Sequence, residues 1–172
     1  MKKFTAILLF AMISALLAGC GYKFGSLAHP QLETIAVAPV TNDTLAYNAA
    51  AVLRGMLSER ITTDGSLTLK SRSQADCILY ARISDVQYKA LGYGTTTLGD
   101  DTYMPDEWRC TITVEYSVII PGRGKPLIAS KTVTGKSDFV PGPDLETGRI
   151  NALRQAAFDA SKTIVSNIVE GW

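Results

Sequence analysis

Leu17-Ala18-Gly19-Cys20 is the run in this 172-residue sequence whose residue types and spacing define a chemistry. It puts small residues before a thiol. Lys2, Lys3 and an apolar stretch from Phe4 to Leu17 precede it. A basic start, a short apolar stretch and small residues before a cut describe an export signal. The stretch is too short to be a comfortable transmembrane helix. A Cys directly after Leu-Ala-Gly makes the signal that of a bacterial lipoprotein. Cleavage would leave Cys20 first in the mature chain, its sulfur and its new amine acylated with palmitate-type chains. Several acyl chains anchor a protein stably where one does not.

Other chemistry is sparse. The single histidine, His29, cannot build a metal site or a Ser-His-Asp arrangement and reads as a linker residue. No Gly-x-Ser-x-Gly, His-Glu-x-x-His or P-loop spacing occurs. Gly92-Tyr93-Gly94 opens no helix and so is no phosphate cradle. Asp100, Asp101, Asp106 and Glu107 lack Ca²⁺-loop spacing and read as a solvated acidic loop. The sequence therefore predicts a non-enzyme: no catalytic residues, no metal ligands, no cofactor.

Removing the first 19 of 172 residues leaves 153, the size of one domain. Lys2 and Lys3 leave with them, so 15 of the 17 Lys+Arg face 16 Asp+Glu. That balance gives no pull toward nucleic acid. The expected organisation is a lipoprotein signal peptide over 1–19, a lipidated tether over 20–33 and a single α/β domain over 34–172.

Thr34 to Val40 is a β-branched run, the first predicted strand. Thr41, Asn42, Asp43 and Thr44 offer capping oxygens for a helix. That helix carries Leu45, Ala49, Val52, Leu53, Met56, Leu57 and Ile61 on one stripe, with Arg54, Ser58 and Glu59 opposite. Asp64-Gly65 stops it, and Leu67 and Leu69 mark a short second strand. Ala75 to Tyr88 is a long strand with Ala75, Cys77, Leu79, Ala81 and Ile83 on one face. In Trp108 to Ile120, Trp108, Cys110, Ile112, Val114, Tyr116, Val118 and Ile120 alternate with Arg109, Thr111, Thr113, Glu115 and Ser117. One face is dry and one wet, as in an antiparallel sheet covered on one side. A turn at Pro121-Gly122-Arg123-Gly124 leads to a Thr- and Ser-rich strand from Leu127 to Phe139. The last helix turns Ile150, Leu153, Ala157, Ala160, Ile164 and Ile168 inward. The order β-α-β-β-β-β-α predicts an α+β, two-layer sandwich. Both amphipathic helices pack on one face of a mostly antiparallel sheet of four to five strands.

If the two long strands form a hairpin, same-face pairing places Cys77 opposite Val118 and Cys110 opposite Asp85. The thiols then lie roughly 26 Å apart at about 3.3 Å per residue, beyond the ~7 Å a disulfide allows. Lys89 to Pro105 reads as a long loop carrying Leu91, Tyr93, Leu98, Tyr103 and Met104. It is either a bare hairpin tip or a partner-contacting loop whose apolar residues become buried on binding.

The Cys20-Gly21-Tyr22 start, the TIAVAPVTNDT stretch, the ADCILYARI strand and the EYSVIIPGRGKPLIASKTVTG strand-turn-strand occur here in order. With the terminal helix, they resemble the lipopolysaccharide-assembly lipoproteins of the LptE family. The resemblance implies a plug and assembly partner of an LptD-type outer-membrane β-barrel, facing the periplasm and anchored by lipid. Gly21 rather than Asp after the lipidated Cys fits outer-membrane sorting. The resemblance also implies lipopolysaccharide contact through basic residues near the sheet's end, for which Arg123, Lys125 and Lys136 are the candidates. The alternative is a lipoprotein of the CsgG or LpoB kind, a secretion-pore component or cell-wall synthase activator, which shares the IAVAPVTNDT opening.

Overall fold

Strict alternation of apolar and polar residues from Trp108 onward makes one strand the spine of the molecule. The computed structural model describes residues 31–95, 103–142 and 144–170. Strand β1 is Thr34–Val37 and β2 is Thr41–Asn42. Helix α1 is Ala49–Asp64, β3 is Thr68–Leu69 and β4 is Cys77–Thr95. Strand β5 is Tyr103–Ile119, β6 is Ile128–Phe139 and helix α2 is Leu145–Glu170.

The six strands form one sheet in the order β3-β1-β4-β5-β6, with β2 also lying beside β4. Pairing is antiparallel for β4–β5 and β5–β6 and parallel for β1–β3, β1–β4 and β2–β4. Two helices on a mostly antiparallel sheet is the architecture that the sequence patterning predicts. The sheet has one strand more than expected, because β2 is only two residues long and carries no hydrophobic pattern.

The core lies between the sheet and the helices. Cys77, Leu79 and Ile83 of β4 and Cys110, Ile112, Val114 and Val118 of β5 are fully buried there. They meet Leu53, Leu57 and Ile61 of α1 and Ala156, Ala160, Ile164 and Ile168 of α2. The alanines let α2 approach closely. At Gly135 of β6 an added Cβ would collide with the Ala156 carbonyl oxygen and lie 2.6 Å from the Ala160 nitrogen. A glycine is therefore required where the helix crosses that strand. Gly65 is the other position that needs its freedom. It ends α1 at φ 73°, its N–H returning to the Ile61 carbonyl, as the sequence predicts.

Four expectations fail. Leu45 is wholly exposed and lies before α1. The expected capping oxygens are engaged elsewhere: Asn42 Oδ1 accepts from the Thr44 N–H and hydroxyl, and Asn42 Nδ2 donates to the Ala46 carbonyl. This local side-chain turn competes with the helix start, so α1 begins later, behind Asn48 at φ 58° with no side-chain cap. Ile150 is 57% exposed, because α2 runs on past the N-terminus of the shorter α1 and has no neighbour on that flank. The hairpin register also differs: Leu79 faces Val118 and Tyr88 faces Cys110. The shift includes a bulge between Ile83 and Asp85, one extra residue that turns Val86 and Tyr88 rather than Asp85 to the helix side. The cysteines stay free and even farther apart than expected. Finally, most of the segment read as a loop from Lys89 to Pro105 is strand: β4 runs to Thr95 and β5 starts at Tyr103.

Candidate functional site

Three regions carry the candidate residues, and the topology holds them apart. The first is the far end of the β4–β5 hairpin. β6 stops at Phe139 opposite Trp108, so from Gly92–Glu107 outward to Thr95–Tyr103 only two strands remain. This ribbon holds Leu91, 39% exposed, and the backbone of Tyr93, Tyr103 and Met104. Leu98 lies outside the described residues, as do Cys20, His29, Asp100 and Asp101.

Aromatic packing secures the ribbon's base. Tyr88 meets Phe139 edge-on at 6.4 Å between ring centroids. The Arg149 guanidinium lies 5.5 Å over the Tyr88 ring, and the Tyr88 hydroxyl donates to the Arg149 carbonyl at 3.4 Å. Burial pushes the Tyr88 phenol well above its ordinary pKa, so the hydroxyl stays a donor. On the outer face Arg109 grips Asp138 with two hydrogen bonds, 2.6 and 2.7 Å long. That contact holds the Asp138 carboxyl below the usual range. Sequence reading missed this pair: its partners are 29 residues apart and only the β5–β6 register brings them together.

The second region is the β5–β6 turn. Arg123 and Lys125 are exposed there, the Arg123 N–H closing the turn on the Ile120 carbonyl at 3.1 Å. Lys136 is not near them. It sits eight residues along β6 from Ile128, roughly 26 Å at about 3.3 Å per residue. It points to the outer face opposite Thr111. The structure thus pairs Arg123 with Lys125 and separates both from Lys136.

The third region is the outer sheet face. A shallow groove of about 230 Å³ runs past Pro39, Thr41, Tyr80, Arg82, Glu115 and Ser130. Arg82 pairs with Asp43 at 2.7 Å and Arg72 donates to the Tyr80 hydroxyl at 2.7 Å. These contacts use up the charged groups within the strands and their connections. Among the described residues no cluster of three or more His, Cys, Asp or Glu could hold a metal ion. Burial pushes the Cys77 and Cys110 thiols up to about 11, which makes them poor nucleophiles. The geometry offers surfaces rather than a reaction centre.

Where the tether enters, Asp76 accepts hydrogen bonds from the Glu33 and Thr34 N–H groups and the Thr34 hydroxyl. These bonds hold its carboxyl below the usual range. Leu32 is already buried, so the packed body takes in the end of the segment read as tether.

Comparison with known proteins agrees with this architecture. The family model described as LptE, lipopolysaccharide-assembly, matches residues 32–169. No curated protein matches the chain. Among solved structures, a Xanthomonas campestris protein is similar at TM-score 0.55 and 13% identity, over 84% of this chain and 89% of its own. The PelC dodecamer of Paraburkholderia phytofirmans is similar at TM-score 0.52 and 12% identity, over 85% and 94%. A minor lipoprotein of Acinetobacter baumannii gives 0.51 and 13%, over 81% and 94%. At these identities the solved structures share the fold with this chain.

Proposed function

This chain belongs to the LptE lipopolysaccharide-assembly family, and on that premise we propose that it is the lipid-anchored outer-membrane partner of an LptD-type β-barrel. It seats against or inside the barrel and supports delivery of lipopolysaccharide to the cell surface. The observation that carries this reading is the family match over residues 32–169, which takes in the packed sheet, both helices and the ribbon. The geometry supports it. A two-stranded ribbon outruns the third strand, and isolated hairpins are marginal in water. Seating it in a barrel lumen would bury its apolar residues and offset the cost of ordering them. The chain needs no catalytic centre for this role. Cys20 is the anchor point, and Arg123 with Lys125 are the cations placed to meet phosphate groups.

Depletion of the protein tests the proposal. Barrel levels and surface lipopolysaccharide should both fall, and a barrel should co-purify with the protein at fixed stoichiometry in detergent. Unchanged barrel and lipopolysaccharide after depletion would overturn it. Cys20→Ala should abolish acyl labelling and leave unprocessed or soluble protein. A mature N-terminus at any other residue would remove the lipoprotein reading.

A further inference from the structure

The two long edges of the sheet end differently. β6 pairs only with β5, and its outward backbone is partly closed: the Lys136 N–H donates to the Asp159 carboxylate of α2 at 3.0 Å. β4 has β1 and β2 along its other side only as far as Ile83, where the Asp43 N–H meets the Ile83 carbonyl at 3.1 Å. From Val86 to Ala90, no described residue hydrogen-bonds to that side of the strand's backbone.

Antiparallel pairing sends the N–H and C=O groups of alternate residues to the same neighbour, so the register says which groups are open. Lys136 points its N–H away from β5, so Gly135 turns toward β5 and exchanges bonds with Ile112. Thr113, Thr111 and Arg109 of β5 therefore turn toward β4, onto Asp85, Gln87 and Lys89. That leaves the N–H and C=O groups of Val86, Tyr88 and Ala90 facing outward along the open edge.

The side chains of those three residues lie on the helix side, opposite Ile112, Cys110 and Trp108, and are only half-buried. The reason is that α1 begins at Ala49, beyond a connection that leaves the edge at Asp43. In that connection Leu45 and Tyr47 are 104% and 87% exposed. The Asn42–Thr44–Ala46 hydrogen bonds fix the backbone that presents them. Ile150 of α2 is exposed on the same side. On the other side Asp85, Gln87 and Lys89 are polar. The edge thus combines a row of open backbone groups with an apolar shelf below and a polar rim above.

We propose that this edge is a β-augmentation site, filled in the assembled protein by an extended segment of the barrel partner with apolar side chains at alternate positions. The inference rests on the barrel reading above. The segment continues the row that β2 begins. It hydrogen-bonds to Val86, Tyr88 and Ala90 and lays its apolar side chains toward Tyr88, Leu45, Tyr47 and Ile150. Main-chain bonding supplies affinity in this mode, and alternate side chains supply specificity. The usable length runs between the register shifts at Ile83/Asp85 and Ala90/Gly92. That is about 17 Å of strand, room for about five residues.

Residue-resolved amide hydrogen exchange on the full lipoprotein in detergent, alone and in complex with the barrel, tests this. The amides of Val86, Tyr88 and Ala90 should exchange fast alone and slowly in the complex. Those of Gln87 and Lys89 should be slow in both. A bound barrel with the three amides still fast overturns the inference and leaves the barrel reading standing. Absence of any bound barrel removes both. Protection that appears in the lipoprotein alone as its concentration rises assigns the edge to a second copy and overturns the proposal. Ala90→Pro, which deletes one outward N–H, should weaken barrel association about tenfold. Should that variant misfold, the exchange pattern alone decides.

Discussion

Strand β5 lives in two environments, and the contrast between them separates what holds this protein together from what it offers to others. From Cys110 to Val118 it has β4 on one side, β6 on the other and α2 against its inner face. Its inward residues there are at most 1% exposed. Beyond Trp108 the same strand keeps only β4. The body is stabilised by burial of apolar side chains, at about 25 cal/mol per Å². The ribbon has no third strand to pair with. Stability is thus concentrated at the end where the tether enters, and the surface left for a partner at the opposite end.

Breaking the body should have the largest effect. Gly135→Ala drives a methyl into the backbone of α2 at Ala156 and Ala160, which cannot yield as a flexible side chain would. A loss of about 3 kcal/mol or more in urea denaturation is expected. Leu53→Asp and Leu153→Asp place an unpaired charge in the core and should cost about 4 kcal/mol or more. If these changes were tolerated, the helices would not be packed as described.

Trimming the ribbon should show the reverse pattern. Replacing residues 91–107 by Asn-Gly joins Ala90 to Trp108, which already face each other, through a two-residue turn suited to hairpins. The melting temperature should move by about 4 °C or less. Barrel association should weaken about tenfold or more, as when a binding hot spot is lost. A variant that melts far earlier yet binds the barrel normally would reverse the assignment of the two ends.

The same contrast marks what the sequence made legible. The body was readable wherever one face is dry. The alternation in Trp108 to Ile120 and the stripe Leu53, Leu57, Ile61 both report burial directly. Register was not readable, because one bulged residue at Ser84 inverts the faces of everything after it and leaves no local pattern. The ribbon was misread as loop for a related reason. Gly92, Gly94 and Thr95 carry no period-two hydrophobic signal, since the ribbon has no core to face, and its pairing comes from continuity with the strands below. The charged pair Arg109–Asp138 depends on that same register. Arg123 and Lys125 are neighbours in sequence and so were found together. Lys136 was grouped with them only by proximity along the chain.

Acid should loosen the body gradually. Asp76, Asp138 and Asp144 are all held below their ordinary 3.8 by hydrogen bonds, chiefly from Thr34, Arg109 and Thr147. Their folded pKa values are depressed, so the stability they lend is fully present above 3.8. It is lost as the pH falls below that toward their folded values. Urea midpoints measured from pH 6 down to pH 2 should therefore fall, and Asp76→Asn should flatten part of the slope. All three groups are exposed, so the change per site is modest. A midpoint that rises on acidification would contradict the sign.

The smallest effects on stability should come from surface cations, and here the comparison sharpens function instead. Arg54 and Arg154 face outward, and their replacement by Ala should stay within about 0.5 kcal/mol. Arg123→Glu with Lys125→Glu should be equally mild for folding, since both side chains are exposed at the turn. If these two cations meet lipopolysaccharide phosphates, the double reversal should weaken binding of purified lipopolysaccharide most at low salt. The difference from the native protein should shrink as ionic strength rises past about 0.15 M, where screening acts over about 8 Å. Lys136→Glu, about 26 Å away by strand geometry, should leave that salt dependence unchanged. Equal losses from the turn and from Lys136 would mean that the ligand spans the length of β6, so that the basic turn is not a separate site.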